Sequence, residues 1–354
     1  MQKIRVDNDE KILIIAPHPD DESIGMGGFL SMFAPQIDVW LLTDGCMGGI
    51  KGQRHSEVAQ IRKTEFEKTM QLAGVHEYRM FNVKDRDLST QIELLTREEL
   101  EQYQKIFVTN QNDLHPDHVA AFLVLKYAIN KKKDSFSNIE VYQYEVTSPL
   151  SDVTHFLEIT DDIDKKRSLI GNYISQLQQA DYYSIALSLN RFRASVYGKR
   201  DRYIETYALT DCLCEFDSST IEKLMIYRQR EKLELLLWCY DRWMQLEMSG
   251  IHVSQIIEIG YGNKIWIYGC GLLGKAIYRT TNGDNVNVLG FLDKYLSVSG
   301  ETDNAVYHPD EVDESEKAYP VIVSAVYDYE SIEAEMKERG FRVIVSFVSL
   351  IKES

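Results

Sequence analysis

Along the chain, short continuous apolar runs alternate with longer stretches whose apolar residues recur every three or four positions. The first pattern belongs to strands buried on both faces, the second to helices. It predicts strands at residues 11–17, 37–43, 78–83, 105–109 and 139–146. Between them it predicts helices at 22–33, 56–73 and 119–130, the second ending at Gly74, a residue suited to a C-cap. Strands alternating with helices imply a Rossmann-like α/β fold, a mostly parallel sheet with helices on both faces.

A helix with a polar start follows at 163–178, and a stretch rich in Tyr and Arg at 182–207 closes the first domain. Residues 219–248 contain no Pro or Gly and read as one long helix, with Leu224, Tyr227, Leu235, Trp238 and Trp243 as apolar anchors and Ser249-Gly250 as its end. This helix is expected to connect two domains; its apolar stripe is read as packing against its own domains or, as the alternative, as a homo-oligomer surface, which the C-terminal domain could also offer. A second alternation predicts strands at 264–268, 286–292, 321–325 and 343–347 and helices at 272–280 and 329–339. The expected organisation is a domain at 1–215, a helical connector at 216–254 and a second, smaller Rossmann-like α/β domain at 255–354.

Composition narrows the class. The 354 residues are 44% hydrophobic and 27% charged, with 20 Gly and 7 Pro, which excludes a wholly disordered or collagen-like chain. The net charge of −16 repels polyanions on average, so no nucleic-acid partner is expected. Cys46, Cys212, Cys214, Cys239 and Cys270 are odd in number and irregular in spacing, and Cys212-Leu213-Cys214 lacks the two-residue gap of a redox or zinc pair. Reduced thiols and a cytoplasmic location follow as expectations. The N-terminus is highly charged, and runs such as 12–16 fall far short of the ~18 residues of a membrane span. No membrane partner is expected.

Two polar clusters fall at predicted strand ends: His18-Pro19-Asp20-Asp21-Glu22 after the first strand and His115-Pro116-Asp117-His118 after the fourth. Open α/β sheets bind ligands at the carboxyl ends of their strands, so the architecture can bring both clusters to one rim. His18 and Asp21 are three residues apart, as are His115 and His118. Imidazole nitrogen with carboxylate oxygen suits zinc, Fe2+ or another borderline divalent ion. Spacing alone weighs a metal site and a satisfied polar loop network equally. His308-Pro309-Asp310 repeats the tripeptide without a second His or an adjacent Asp, and reads as coincidence.

Ala16-Pro17-His18-Pro19-Asp20-Asp21-Glu22 together with His115-Pro116-Asp117-His118 resembles the two signature motifs of the LmbE-like/PIG-L de-N-acetylase family. The family's first motif usually reads AHPDDE, and Pro17 departs from it outside the ligand positions. Gly27-Gly28, Leu42-Thr43-Asp44-Gly45, Arg62 with Glu65, Ser175-Gln176 and Tyr203-Ile204-Glu205 are similar to the family too, so the resemblance spans roughly residues 10–212. It implies a zinc-dependent hydrolase that removes acetyl groups from N-acetylated amino sugars, small-molecule substrates of glycan or secondary-metabolite synthesis. His18, Asp21 and His118 would be the metal ligands, Asp20 the general base, and His115 the oxyanion stabiliser or acid. Asp117 would stand behind the ligands and orient a histidine. Asp44 is read as a sugar-hydroxyl or supporting residue, or else a turn residue before Gly45. Arg62 is read as a contact to a substrate phosphate or hydroxyl, or else a surface partner of Glu65. The glycine-rich loop 46–55 is read as a lid, with His55 exposed. Other readings are a non-haem metal enzyme of another class, since two His and a carboxylate also make a facial triad, and a non-catalytic scaffold.

Gly269-Cys270-Gly271-Leu272-Leu273-Gly274 follows a predicted strand and opens a helix, and Asp293 ends the next strand 19 residues past Gly274. Amides at such a helix start cradle a phosphate, and the acid takes a ribose hydroxyl. Gly290-Phe291-Leu292-Asp293 resembles the small nucleotide-sugar-binding domain of some sugar acyltransferases. A nucleotide or nucleotide-sugar held by Gly269, Gly271, Gly274 and Asp293 is the leading reading of the second domain; a redox role with NAD and a degenerate assembly domain are the alternatives.

Overall fold

The computed structural model describes residues 1–49, 53–136, 139–214, 219–283, 285–295 and 305–352, and of residues 220, 221, 223–228 and 231 only the backbone. The centre of the expected lid lies outside the described residues. The chain forms two compact units, Met1–Tyr227 and Arg228–Ser354.

The first unit contains strands β1 (Gln2–Lys3), β2 (Ile12–Ala16), β3 (Ile37–Thr43), β4 (Glu77–Val83), β5 (Lys105–Thr109), β6 (Glu140–Tyr144), β7 (His155–Glu158) and β8 (Ile204–Thr210). Its helices are α1 (Asp21–Phe33), α2 (His55–Ala73), α3 (Pro116–Lys131), α4 (Ile163–Ile170), α5 (Ile174–Leu177) and α6 (Tyr182–Val196). One eight-stranded sheet runs β1-β7-β8-β6-β5-β2-β3-β4. All of its pairings are parallel except those of β8 with β6 and β7. Every residue of β2, β3 and β5 is buried, as central parallel strands require, whereas β4 at the edge is only partly covered. Along β2, Ile12, Ile14 and Ala16 join one core cluster and Leu13 and Ile15 another, one on each face of the sheet.

From β2 the chain steps to β3 and β4 on one side, then returns to β5 and β6 on the other. This places a topological switch point between β2 and β5, where α/β sheets open a crevice at their carboxyl ends. The loops carrying His18 and His115 leave the sheet there.

The parallel core strands and their helices lie within a few residues of their expected bounds, and Gly74 caps α2 in the left-handed region at φ 73°. Elsewhere the expectations need correction. The single helix expected at 163–178 is broken: α4 stops at Ile170, and residues 171–173 turn before α5. Strands β1, β7 and β8 were not foreseen, and β8 makes the sheet mixed. Its polar Glu205 and Thr206 are buried. Helix α1 kinks at Met26 (φ −129°), and the amides of Gly28 and Phe29 donate to Glu205 at 2.7 and 2.9 Å. Lys166, fully buried, closes the pair at 2.7 Å. A buried carboxylate survives here because each oxygen is hydrogen-bonded and its charge is matched.

The second unit contains most of α7 (Ser219–Met248), then α8 (Val253–Tyr261), β9 (Lys264–Tyr268), α9 (Leu272–Thr281), β10 (Asn287–Leu292), β11 (Val306–Tyr307), β12 (Val321–Val323), α10 (Tyr329–Glu338), β13 (Ile344–Ser346) and α11 (Phe347–Lys352). Its five strands are all parallel in the order β11-β10-β9-β12-β13. Cys239, Trp243 and Leu246 of α7 are buried in this unit's core. Helix α8 and strand β11 were not foreseen.

Candidate metal centre

Four loops at the carboxyl ends of β2, β3, β4 and β5 build the site. After β2, the Pro17 carbonyl accepts the Thr43 amide at 2.9 Å and its hydroxyl at 2.8 Å, which fixes the His18 turn against β3. His18, Asp20 and Asp21 are buried. Asp21 Oδ2 lies 3.2 Å from His18 Nδ1 and 3.3 Å from His118 Nε2, and it also accepts the His18 amide at 2.8 Å. One nitrogen each of His18, His115 and His118 lies within 4.8 Å of the others. The tertiary fold thus joins the two sequence clusters at one point.

The outer ring nitrogens face carboxylates. His18 Nε2 lies 3.3 Å from Asp85 Oδ1 and 3.4 Å from Asp117 Oδ2, and His118 Nδ1 lies 3.3 Å from Asp113 Oδ2. Carboxylates behind ligating imidazoles set their tautomer and orientation. Asp117 lies beside His18, and its Oδ2 also accepts the Arg86 amide at 2.6 Å. Asp85 and Asp113 were missed by sequence reasoning. Asp113 Oδ1 also accepts the His115 amide at 2.9 Å, so one residue shapes the turn and backs His118. Its position two residues before the His-Pro-Asp-His run was the available signal.

Charge follows from this crowding. Burial alone disfavours a charged imidazole, but Asp85, Asp117 and Asp21 hold His18 well above the ordinary histidine range. Asp21 and Asp113 likewise push His118 up to about 9 against the same burial. The position between these rings draws positive charge, and a set of two imidazoles with one carboxylate fits a borderline divalent ion. On the other side of His18, its ring with Asp85 and Asp117 forms a second group within 4.8 Å. That side offers two carboxylates and one nitrogen, a harder donor set. His115 differs: burial, and then the charges of His18 and His118, push it down to about 3. Its Nδ1 accepts the Asp117 amide at 3.2 Å as the cap of α3, which leaves the ring proton of the neutral form on Nε2.

Asp20 precedes α1 at φ 129° and ψ −26°, a conformation rare for a residue with a side chain. Burial raises its pKa to about 7, and Arg62 offsets only part of that. Arg62 is 4% exposed; it donates to Gly45 O at 2.9 Å and Pro19 O at 2.6 Å and lies 3.2 Å from Asp20 Oδ2. Arg62 thus clamps the turn that carries Asp20 and also borders the pocket over it. The surface pair with Glu65 does not form: Glu65 turns instead to the Ser175 amide and hydroxyl at 2.8 and 2.6 Å. Gly45 is needed beneath the clamp, since its φ is 62° and a Cβ there would lie 2.7 Å from Arg62. Asp44 Oδ1 accepts the amides of Cys46 and Asp85 at 3.0 and 2.9 Å, tying the loops after β3 and β4 together. A pocket of about 180 Å³ opens over His18, Asp20, His115 and His118, with Arg86 and Tyr182 among its walls.

Residues 13–129 match the PIG-L family, described as GlcNAc-PI de-N-acetylase. The chain is 26% identical over 218 residues to diacetylchitobiose deacetylase of Thermococcus kodakarensis (strain ATCC BAA-918 / JCM 12380 / KOD1), covering 55% of this chain and 81% of that protein. Among solved structures, it is similar to N,N'-diacetylchitobiose deacetylase from Pyrococcus horikoshii, with TM-score 0.48, 23% identity, and 58% of this chain and 85% of that one covered. It is also similar to GalB, the 4-carboxy-2-hydroxymuconate hydratase from Pseudomonas putida KT2440, with TM-score 0.45, 20% identity, and 57% and 96% covered.

The PIG-L-like domain holds all of the clustered histidines, and His55 begins α2 outside the cluster. His308 lies in the other unit, where its ring accepts the Asp310 amide and Glu311 returns to its backbone, a local cap. Also in that unit, Gly269 (φ 92°) follows β9, Gly271 caps α9 and Asp293 follows β10. Asp293 Oδ1 accepts the Tyr295 amide at 2.9 Å, and Oδ2 lies 3.9 Å from Cys270 Sγ. Among the described residues, no helix is long and apolar enough to cross a membrane.

Proposed function

We propose that the chain is a metal-dependent hydrolase that removes the N-acetyl group from an amino-sugar derivative, with zinc the first candidate. The observation that carries this is the meeting of His18 Nδ1, Asp21 Oδ2 and His118 Nε2 beside the buried Asp20. The PIG-L match and the deacetylase activity named for the Thermococcus relative support the choice of bond. His18, Asp21 and His118 would hold the ion. When bound, such an ion polarises the amide carbonyl and makes water more acidic.

The protein's own groups do the rest. Asp20, with its pKa near 7, takes a proton from the attacking water at neutral pH. Arg62 keeps its carboxylate in place. His115 offers Nε2–H to the developing oxyanion as a neutral donor, because Nδ1 is already engaged by the Asp117 amide. The departing amine takes back from Asp20 the proton that Asp20 drew from the water, since His115 is neutral and has no acidic proton to give. Metal-loaded protein is expected to release free amine from at least one of N-acetylglucosamine, N,N'-diacetylchitobiose and a nucleotide-linked N-acetyl sugar, read by amine derivatisation. No release from any N-acetylated sugar by protein with a full complement of zinc or iron would exclude this function.

For the second unit we infer a nucleotide or nucleotide-sugar ligand at the turn after β9. Support comes from the glycine spacing, the open space at Gly271, and Gly274, whose Cβ would lie 2.0 Å from Gly269 O. Calorimetric titration with UDP-N-acetylglucosamine is expected to show binding that Asp293→Ala weakens. Absence of heat with this nucleotide sugar, with UDP and with ATP would remove the inference.

A further inference from the structure

The conformation of Asp20 raises the question of what holds it there. A side-chain-bearing residue persists at φ 129° only where its surroundings over-determine the backbone. Arg62 supplies part of the restraint, through Pro19 O and the Asp20 carboxylate. The Asp20 N–H has a separate partner: it donates to Glu22 Oε2 at 3.2 Å. Glu22 is fully buried, and its other oxygen accepts the hydroxyls of Tyr173 and Ser23, each at 2.6 Å. Tyr173 lies 151 residues from Glu22 in sequence, in the turn between α4 and α5, with its ring in the core of the first unit.

We propose that Glu22 and Tyr173 are positioning residues for Asp20: the Tyr173 hydroxyl anchors the Glu22 carboxylate, which holds the Asp20 N–H and with it the turn that presents the Asp20 carboxylate to the pocket. The proposal rests on the reading of Asp20 as proton acceptor. The break between α4 and α5 gains a reason, since a continuous helix at 163–178 would have no turn there to bring Tyr173 to Glu22. Without the tyrosine hydroxyl, Glu22 keeps Ser23, its sequence neighbour, and loses its tie to the distant helices. The carboxylate then swings, and Asp20 relaxes away from its productive geometry.

Glu22→Ala leaves a buried hole and several orphaned donors, so Tyr173→Phe is the decisive variant: it keeps the ring and removes one hydroxyl. In metal-loaded full-length protein, kcat is expected to fall by about ten- to a hundredfold, the loss that a small misplacement of a reacting group produces. KM and metal content should be unchanged. The Asp20 amide, followed by NMR hydrogen exchange, should exchange faster while the amides of β2 do not. Ser23→Ala, which spares the tyrosine bond, should lose less activity. Unaltered kcat, or a loss explained by departed metal, overturns the proposal. If the wild-type protein releases amine from no N-acetylated sugar, the hydrolase reading fails on its own. The exchange rate at Asp20 then decides the positioning role, and an unaltered rate in Tyr173→Phe refutes it.

Discussion

Asparagine at position 20 is expected to lower kcat for amide hydrolysis by roughly 10²–10⁴-fold, the usual contribution of a positioned proton acceptor. Metal content should be retained, because His18, Asp21 and His118 meet without using the Asp20 carboxylate. Asn removes the basicity and the negative charge but keeps the size of Asp and an oxygen that can accept from Arg62, so the loss belongs to proton transfer and not to a collapsed turn. Alanine should be as inactive and also less stable. It strips the Arg62 guanidinium of its carboxylate, and an uncompensated buried charge costs about 3–5 kcal/mol. The carbonyls of Pro19 and Gly45 still accept from Arg62, so the observed cost should fall at the low end. Glycine separates strain from charge. It loses the same carboxylate but accepts φ 129° freely, and should exceed the alanine variant in stability by about 1–3 kcal/mol. Steady-state kinetics, metal analysis and urea unfolding of the three variants measure all of this. Wild-type kcat in Asp20→Asn would remove Asp20 from the chemistry.

His118→Ala is expected to abolish both stoichiometric metal binding and activity. The ring supplies Nε2 to the point where Asp21 and His18 meet, and two remaining donors make a poor site. Asp113→Ala tests the support behind that ring. It leaves all three donors in place but removes the carboxylate 3.3 Å from His118 Nδ1, and should weaken metal affinity by about 10–100-fold. Added metal should then restore much of the activity of Asp113→Ala and none of His118→Ala. Metal content after dialysis against a graded chelator series gives the affinities. Equal retention of metal by His118→Ala and wild type would place the ion elsewhere, with the Asp85–Asp117 side of His18 the next position to examine.

The chemistry of this protein is legible along the chain where it is local. His18 with Asp21, and His115 with His118, sit three residues apart on single turns at strand ends, so spacing alone brings each pair together. The buried runs of β2, β3 and β5 show their strand character for a similar reason: central parallel strands bury both faces and leave no polar alternation. Gly74 ends its helix through its own backbone freedom, a property of one residue.

Contacts between distant segments are not written that way. Arg62 and Glu65, one helical turn apart, suggested a surface pair, yet Arg62 turns inward to Pro19, Gly45 and Asp20 and Glu65 turns to Ser175. Asp85 and Asp113 are two among 55 acidic residues until the fold sets them behind His18 and His118. Glu205 lies in a stretch where no strand was expected, and its buried carboxylate is met by two amides of the kinked α1. A residue's type and its near neighbours govern turns, caps and burial, whose energies are local. Which buried charge finds which partner depends on loops from separate strands closing on one rim, and that assembly sets the conformation of Asp20 and the environment of the three histidines.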